Sequence, residues 1–184
     1  MNTPRTKELV RHSNTREPSR PRGPDGKYVD GLWTADFVKA LGQIASFWPH
    51  LEDAMIEIMR DLLGSDRHMP ARQIFRAIIS NQARKKVMVA LLEKSRLNRD
   101  KTVFYDETIQ EFSALAGKRN DYLHGLWWTF EDGRVFLSKE SLDDFHFLDR
   151  REVKLAELVA VFKQMDAFHA KIRDRPRASL LRPP

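Results

Sequence analysis

The chain has 184 residues, with 32 Lys+Arg against 26 Asp+Glu, 41% hydrophobic residues and no cysteine. That length and apolar content suit one compact core, and the missing thiols exclude a disulfide framework, a thiolate metal site and a cysteine nucleophile. No apolar run reaches the about 18 residues a membrane span needs, and residues 1–23 hold no apolar signal core, so a cytoplasmic protein is expected.

The charge is unevenly placed. Residues 1–30 carry seven basic and four acidic side chains, and residues 171–184 carry five and one. The 140 residues between them hold 20 basic and 21 acidic groups, a net of −1, so the ends supply +7 of a total net charge of +6. Seven of the nine prolines also lie in these ends. Residues 1–30 and 173–184 therefore read as disordered basic tails flanking a domain over 31–172. The body itself is not a basic nucleic-acid-binding block.

The first helix is predicted from about Thr34 to Leu63. Phe37, Leu41, Ile44, Trp48, Leu51, Met55, Ile58 and Leu62 alternate spacings of four and three, which sets them in one stripe. Pro49 lies inside the stripe without shifting its phase, so a kink is expected there, and Gly64 with Ser65 ends the helix. A second helix opens with Pro70 in its first turn and runs to about Lys94, burying Ala71, Phe75, Ile78, Ile79, Val87, Ala90 and Leu91. A third begins with Asp106 as N-cap and continues through Leu123. Then comes a hairpin, with Asp132-Gly133 as its turn and Glu131 and Arg134 paired across it. The fourth helix starts with a capping box formed by Asp149 and Glu152, and buries Leu155, Leu158, Phe162, Met165 and Ile172. Four helices and one small β-hairpin after the third long helix predict an all-α four-helix bundle. No internal repeat or Gly-rich phosphate loop interrupts this pattern.

The third helix breaks its own pattern. At about 100° per residue, Phe112 and Leu123 fall within about 40° of Arg119, so the guanidinium lies in the middle of the apolar face. Asn120 and His124, four residues apart, form a polar strip along its edge. A charge in an apolar stripe must be paired or border a cleft, and the internal partner expected is Glu52 or Glu57 of the first helix.

The local string is Arg119-Asn120-Asp121-Tyr122-Leu123-His124-Gly125. It resembles the R-x4-6-H signature of the HEPN superfamily, whose domains are helical bundles with the signature late in the third long helix. The resemblance covers roughly residues 34–172. It implies metal-independent endoribonuclease chemistry at a homodimer cleft, with RNA as substrate and no cofactor. Arg119 and His124 would then be the catalytic pair, with Asn120, Tyr122 and Trp127 supporting the site or touching RNA. Histidine exchanges protons near neutral pH, and arginine stays charged and grips phosphate oxygens, so the residue chemistry agrees. Members of the family act as toxins or antiphage effectors, which brings in an antitoxin or regulatory protein as a further partner. The tyrosine that some such toxins carry two residues after the histidine is Leu126 here.

The remaining histidines are His12, His50, His68, His146 and His169. Asp143, Asp144 and His146 have no second ligand cluster, so no metal site is expected. The stretch Asn81, Gln82, Arg84, Lys85 and Lys86 reads as a solvated helix face, or as an extension of a phosphate-binding surface. A second reading of the whole chain is a catalytically silent HEPN-like dimer that binds RNA or protein.

Overall fold

The computed structural model describes residues 34–64, 68–130, 132–138 and 150–175. Most of both expected tails, Asp149 and the Glu131 half of the proposed hairpin pair lie outside these residues. The described chain is mostly helical: α1 (Ala35–Leu63), α2 (His68–Ala77), α3 (Asn81–Lys94), α4 (Arg99–His124) and α5 (Leu155–Arg173). A small antiparallel sheet of β1 (Leu126–Thr129), β2 (Val135–Ser138) and β3 (Arg150–Glu152), in that order, lies between α4 and α5 in sequence.

α1 is the central element. Thr34 accepts the Phe37 amide at 3.4 Å to start it, and the predicted stripe is buried from Phe37 to Ile58. Its most extensive contact is with α5, whose Leu158, Val161, Met165, Phe168 and Ile172 complete the core. The helix runs through Pro49, which gives no amide to the Ala45 carbonyl one turn back. Among the described residues no helix is long and apolar enough to cross a membrane.

Three expected boundaries are corrected. The second predicted helix is two: α2 stops at Ala77, Ser80 caps α3 by accepting the Ala83 amide at 3.4 Å, and Ile79 is 94% exposed rather than buried. The break also rotates the buried face of α3, which becomes Met88 and Leu92, while Ala90 is exposed. No Gly or Pro marks this break. A side chain from beyond it does the work: Arg84 Nε donates to the carbonyls of Phe75 (3.1 Å) and Ile78 (2.7 Å), oxygens left over at the end of α2.

α4 begins earlier than expected. Asn98 accepts the Lys101 amide at 3.0 Å, and Asp106 is an exposed position within the helix. The string read as a capping box at the head of the last helix is instead β3, paired with β2 through Phe136↔Glu152 and Ser138↔Arg150. α5 starts at Leu155, where Glu157 Oε1 accepts the Lys154 amide at 3.0 Å. Val153 extends the ladder, its amide donating to the Val135 carbonyl at 2.8 Å. A three-residue strand held by β2 outweighs a cap whose helix would have to start before its apolar face does.

The hairpin stands where it was read. Trp127↔Leu137 and Thr129↔Val135 set its register, and Gly133 closes the turn at φ 82, its amide donating to the Phe130 carbonyl at 2.9 Å. Arg134 pairs with Asp132 at 2.6 Å. Residues 173–175, expected to begin a tail, belong to the fold: Arg173 ends α5, and Arg175 pairs with Asp61 at 3.0 Å, both side chains 10% exposed.

Candidate functional site

α4 carries Arg119, Asn120 and His124 to the wall of an open cleft of about 720 Å³. The opposite walls are Ala45, Trp48, Pro49 and Glu52 from α1, and the α2–α3 turn with the head of α3: Ile79, Ser80, Asn81, Gln82 and Arg84. The first amides of α3 have no intrahelical acceptor, so its positive end adds to the arginines on this side. The cleft therefore joins the polar strip of α4 to Asn81, Gln82 and Arg84 of the polar stretch that opens α3, and leaves Lys85 and Lys86 outside it.

Arg119 is half-buried, and its surroundings explain how an apolar stripe tolerates it. The guanidinium carbon lies 5.8 Å over the Trp48 ring, which stacks on Phe112 at 5.0 Å and 24°. Arg119 NH1 donates to Asn120 Oδ1 at 2.9 Å and stands 3.5 Å from His124 Nε2. Its Nε is buried with no hydrogen-bond partner. A guanidinium has only donors, so the contact with Nε2 needs the imidazole to present its lone pair there. Asn120 thus orients the arginine, not the imidazole.

The carboxylate expected to neutralise Arg119 is engaged elsewhere. Glu52 accepts from Arg84 NH1 at 2.6 Å, and Glu57 from Arg60 NH1 at 2.6 Å. Among the described residues Arg119 pairs with no carboxylate. An anion with oxygens spaced like a phosphate would meet two donors here, the outer nitrogens of the Arg119 guanidinium and the exposed His124 ring, and would face the positive end of α3 across the cleft.

Tyr122 and Trp127 do not line the cleft. Tyr122 is buried, stacks on Trp127 at 6.1 Å and 24°, and accepts from Arg151 NH2 at 3.2 Å. Trp127 Nε1 donates to the Tyr122 carbonyl at 2.8 Å. Arg151 also holds Glu157 at 2.6 Å, so the group fastens the end of α4 to β3 and the start of α5. Burial disfavours the charged form of Glu157, but the Lys154 amide and Arg151 outweigh it and hold the carboxyl below its ordinary range. These two aromatics are the scaffold behind His124.

Trp48, Glu52 and Arg84 are the cleft residues that sequence reasoning missed as site residues. Trp48 and Glu52 were visible only as a core position and as a candidate ion-pair partner, and Arg84 only within a stretch read as a solvated face or as an extension of a phosphate-binding surface. The fold also joins two histidines of separate elements: His50 and His169 stand 6.0 Å apart between ring centres, each beside Phe47. Among the described residues no group of three or more His, Asp or Glu is placed to hold a metal ion, and Asp143, Asp144 and His146 fall outside them. Comparisons with protein families, with curated proteins and with solved structures find no match for this chain.

Proposed function

We propose that this chain is a metal-independent endoribonuclease of the HEPN type, working in a cleft completed by a second copy of itself. One observation carries the reading: a guanidinium that meets no carboxylate among the described residues stands 3.5 Å from an exposed imidazole in an open cleft. A structural arginine on an apolar face takes an internal carboxylate, whereas a functional one keeps its donors for a ligand.

The chemistry follows from those two groups. The phosphate draws the Arg119 guanidinium to itself and frees the Nε2 lone pair of His124, which takes the proton of a ribose 2′-hydroxyl as the 2′-oxygen attacks the adjacent phosphorus. The bond from phosphorus to the 5′-oxygen breaks, that oxygen takes a proton from an acid, and a 2′,3′-cyclic phosphate and a 5′-hydroxyl result. Arg119 holds the phosphoryl oxygens as negative charge grows on them. One protomer supplies one such histidine, so the acid in this reading is His124 of a second copy across a two-fold axis. A role as toxin or antiphage effector, restrained by an antitoxin or regulatory protein, goes with the same reading.

The test is cleavage of mixed tRNA and mRNA in EDTA by the purified protein, beside His124→Ala and Arg119→Ala, with oligomeric state measured for all three. Cyclic-phosphate ends from the wild type and loss of about a hundredfold or more in each folded, dimeric variant are expected. RNA that is bound and never cut would instead make the chain a silent RNA-binding module, and a strictly monomeric protein would remove the second histidine.

A further inference from the structure

Among the described residues two arginines line the cleft with one carboxylate, and the carboxylate is paired with the arginine that does not touch the histidine. Glu52 lies one turn along α1 from Trp48, the ring over which Arg119 sits. In this position it is the natural partner for Arg119, and an under-partnered, half-buried guanidinium takes a carboxylate within reach. Arg84 prevents this.

Arg84 does so because its own position is fixed independently of Glu52. Its Nε is held by the Phe75 and Ile78 carbonyls, its guanidinium carbon lies 4.5 Å from the centre of the Phe75 ring, and NH1 also reaches Asn81 Oδ1 at 3.3 Å. The side chain is only 12% exposed. With the fork already set by the end of α2, the remaining NH1 face is aimed at Glu52, and little entropy is lost in pairing.

We propose that Arg84 is a positioning residue that withholds Glu52 from Arg119, so that the Arg119 guanidinium stays open to the anionic ligand of the cleft. The consequence for catalysis rests on the ribonuclease reading above; the consequence for pairing does not. Without Arg84, Glu52 swings to Arg119, and the internal ion pair occupies the place of the phosphate.

The experiment has two arms. In the first, denaturant midpoints are measured for Glu52→Gln, Arg119→Met and the double variant, each with Arg84 intact and with Arg84→Gln. The Gln amide still donates to the Ile78 carbonyl but carries no charge for Glu52. The two substitutions should add in the first background and fail to add in the second, where they remove one shared pair. Equal coupling in both backgrounds, or additivity in both, overturns the proposal. Arg84→Lys is a milder background should Arg84→Gln not fold, because one ammonium cannot replace the fork at both carbonyls and the carboxylate, and part of the coupling should then appear.

The second arm is RNA cleavage. Arg84→Gln should raise KM on the order of tenfold, with a smaller change in kcat, because a carboxylate competes with the phosphate for Arg119. Adding Glu52→Gln to Arg84→Gln should recover most of that loss. No recovery in a folded double variant overturns the proposal, since Arg84 would then act on the ligand itself. A wild type that cuts no RNA overturns the ribonuclease reading, and the stability arm alone then decides the role of Arg84.

Discussion

The Arg119 guanidinium lies over the Trp48 ring, 5.8 Å from its centre, and borders the cleft rather than forming an internal ion pair among the described residues. Trp48 is 6% exposed and itself stacked on Phe112, so it serves the core and the cleft at once. Trp48→Ala should cost about 3–5 kcal/mol in urea unfolding, as for other buried aromatics. Trp48→Phe keeps a ring under the cation and should cost about 1–2 kcal/mol less than that while leaving Arg119 in place.

Arg119 should add little to the stability of the fold. Its Nε is buried and unsatisfied, and its neighbours on the helix face are apolar. Arg119→Met should leave unfolding free energy within about 0.5 kcal/mol of the wild type or raise it, because it removes an unmet donor and keeps the length. A loss of several kcal/mol in denaturant melts would mean that the arginine is a structural partner after all.

Gly125 is required by close approach. A methyl group there would fall on the Leu137 side chain, within 2.6 Å of the Asp121 carbonyl oxygen and 3.1 Å of that of Ser138. The glycine that follows His124 in the sequence motif is thus where β2 presses on the end of α4. Gly125→Ala should destabilise by about 1–3 kcal/mol and shift the last turn that carries His124. Thermal melts with RNA cleavage on the same samples check both effects.

Tyr105 supplies a pH dependence with a definite sign. Burial and the neighbouring Asp61 carboxylate, which accepts the phenol at 2.9 Å, push its pKa from 10.0 to about 12. The folded protein holds the phenolic proton more tightly than the unfolded chain does. Its contribution to stability is therefore complete below about pH 10 and is lost as the pH rises through about 12. Absorbance titration should show a phenolate step near pH 12 in the folded protein, which Tyr105→Phe removes.

Several features of the fold were legible in the residues because one local rule governed each. The stripe of α1 needed only a 3.6-residue period, and the Asp132-Gly133 hairpin only a turn that favours a positive φ at glycine. Where two local signals competed, neighbours elsewhere in the chain decided. The α2–α3 break has no Gly or Pro, because Arg84 caps α2 from across the turn. Residues 150–152 of the expected capping pattern pair with β2, which gives their backbone partners that a helix start there would not.

For the site, the sequence by itself determined that Arg119, Asn120 and His124 share one edge of a helix, since a helix fixes side-chain directions over one turn. Only the tertiary structure decided who faces them. Which carboxylate meets which cation depends on how α1, α2 and α4 come together, where Trp48 and Phe75 both pack on Phe112, rather than on any local pattern. Hence Glu52 is joined to Arg84, Arg119 stands beside His124, and Tyr122, buried, stacks on the half-buried Trp127 outside the cleft. Helical periodicity is a short-range constraint, while pairing of charges is a competition among all groups that the fold brings within a few ångströms.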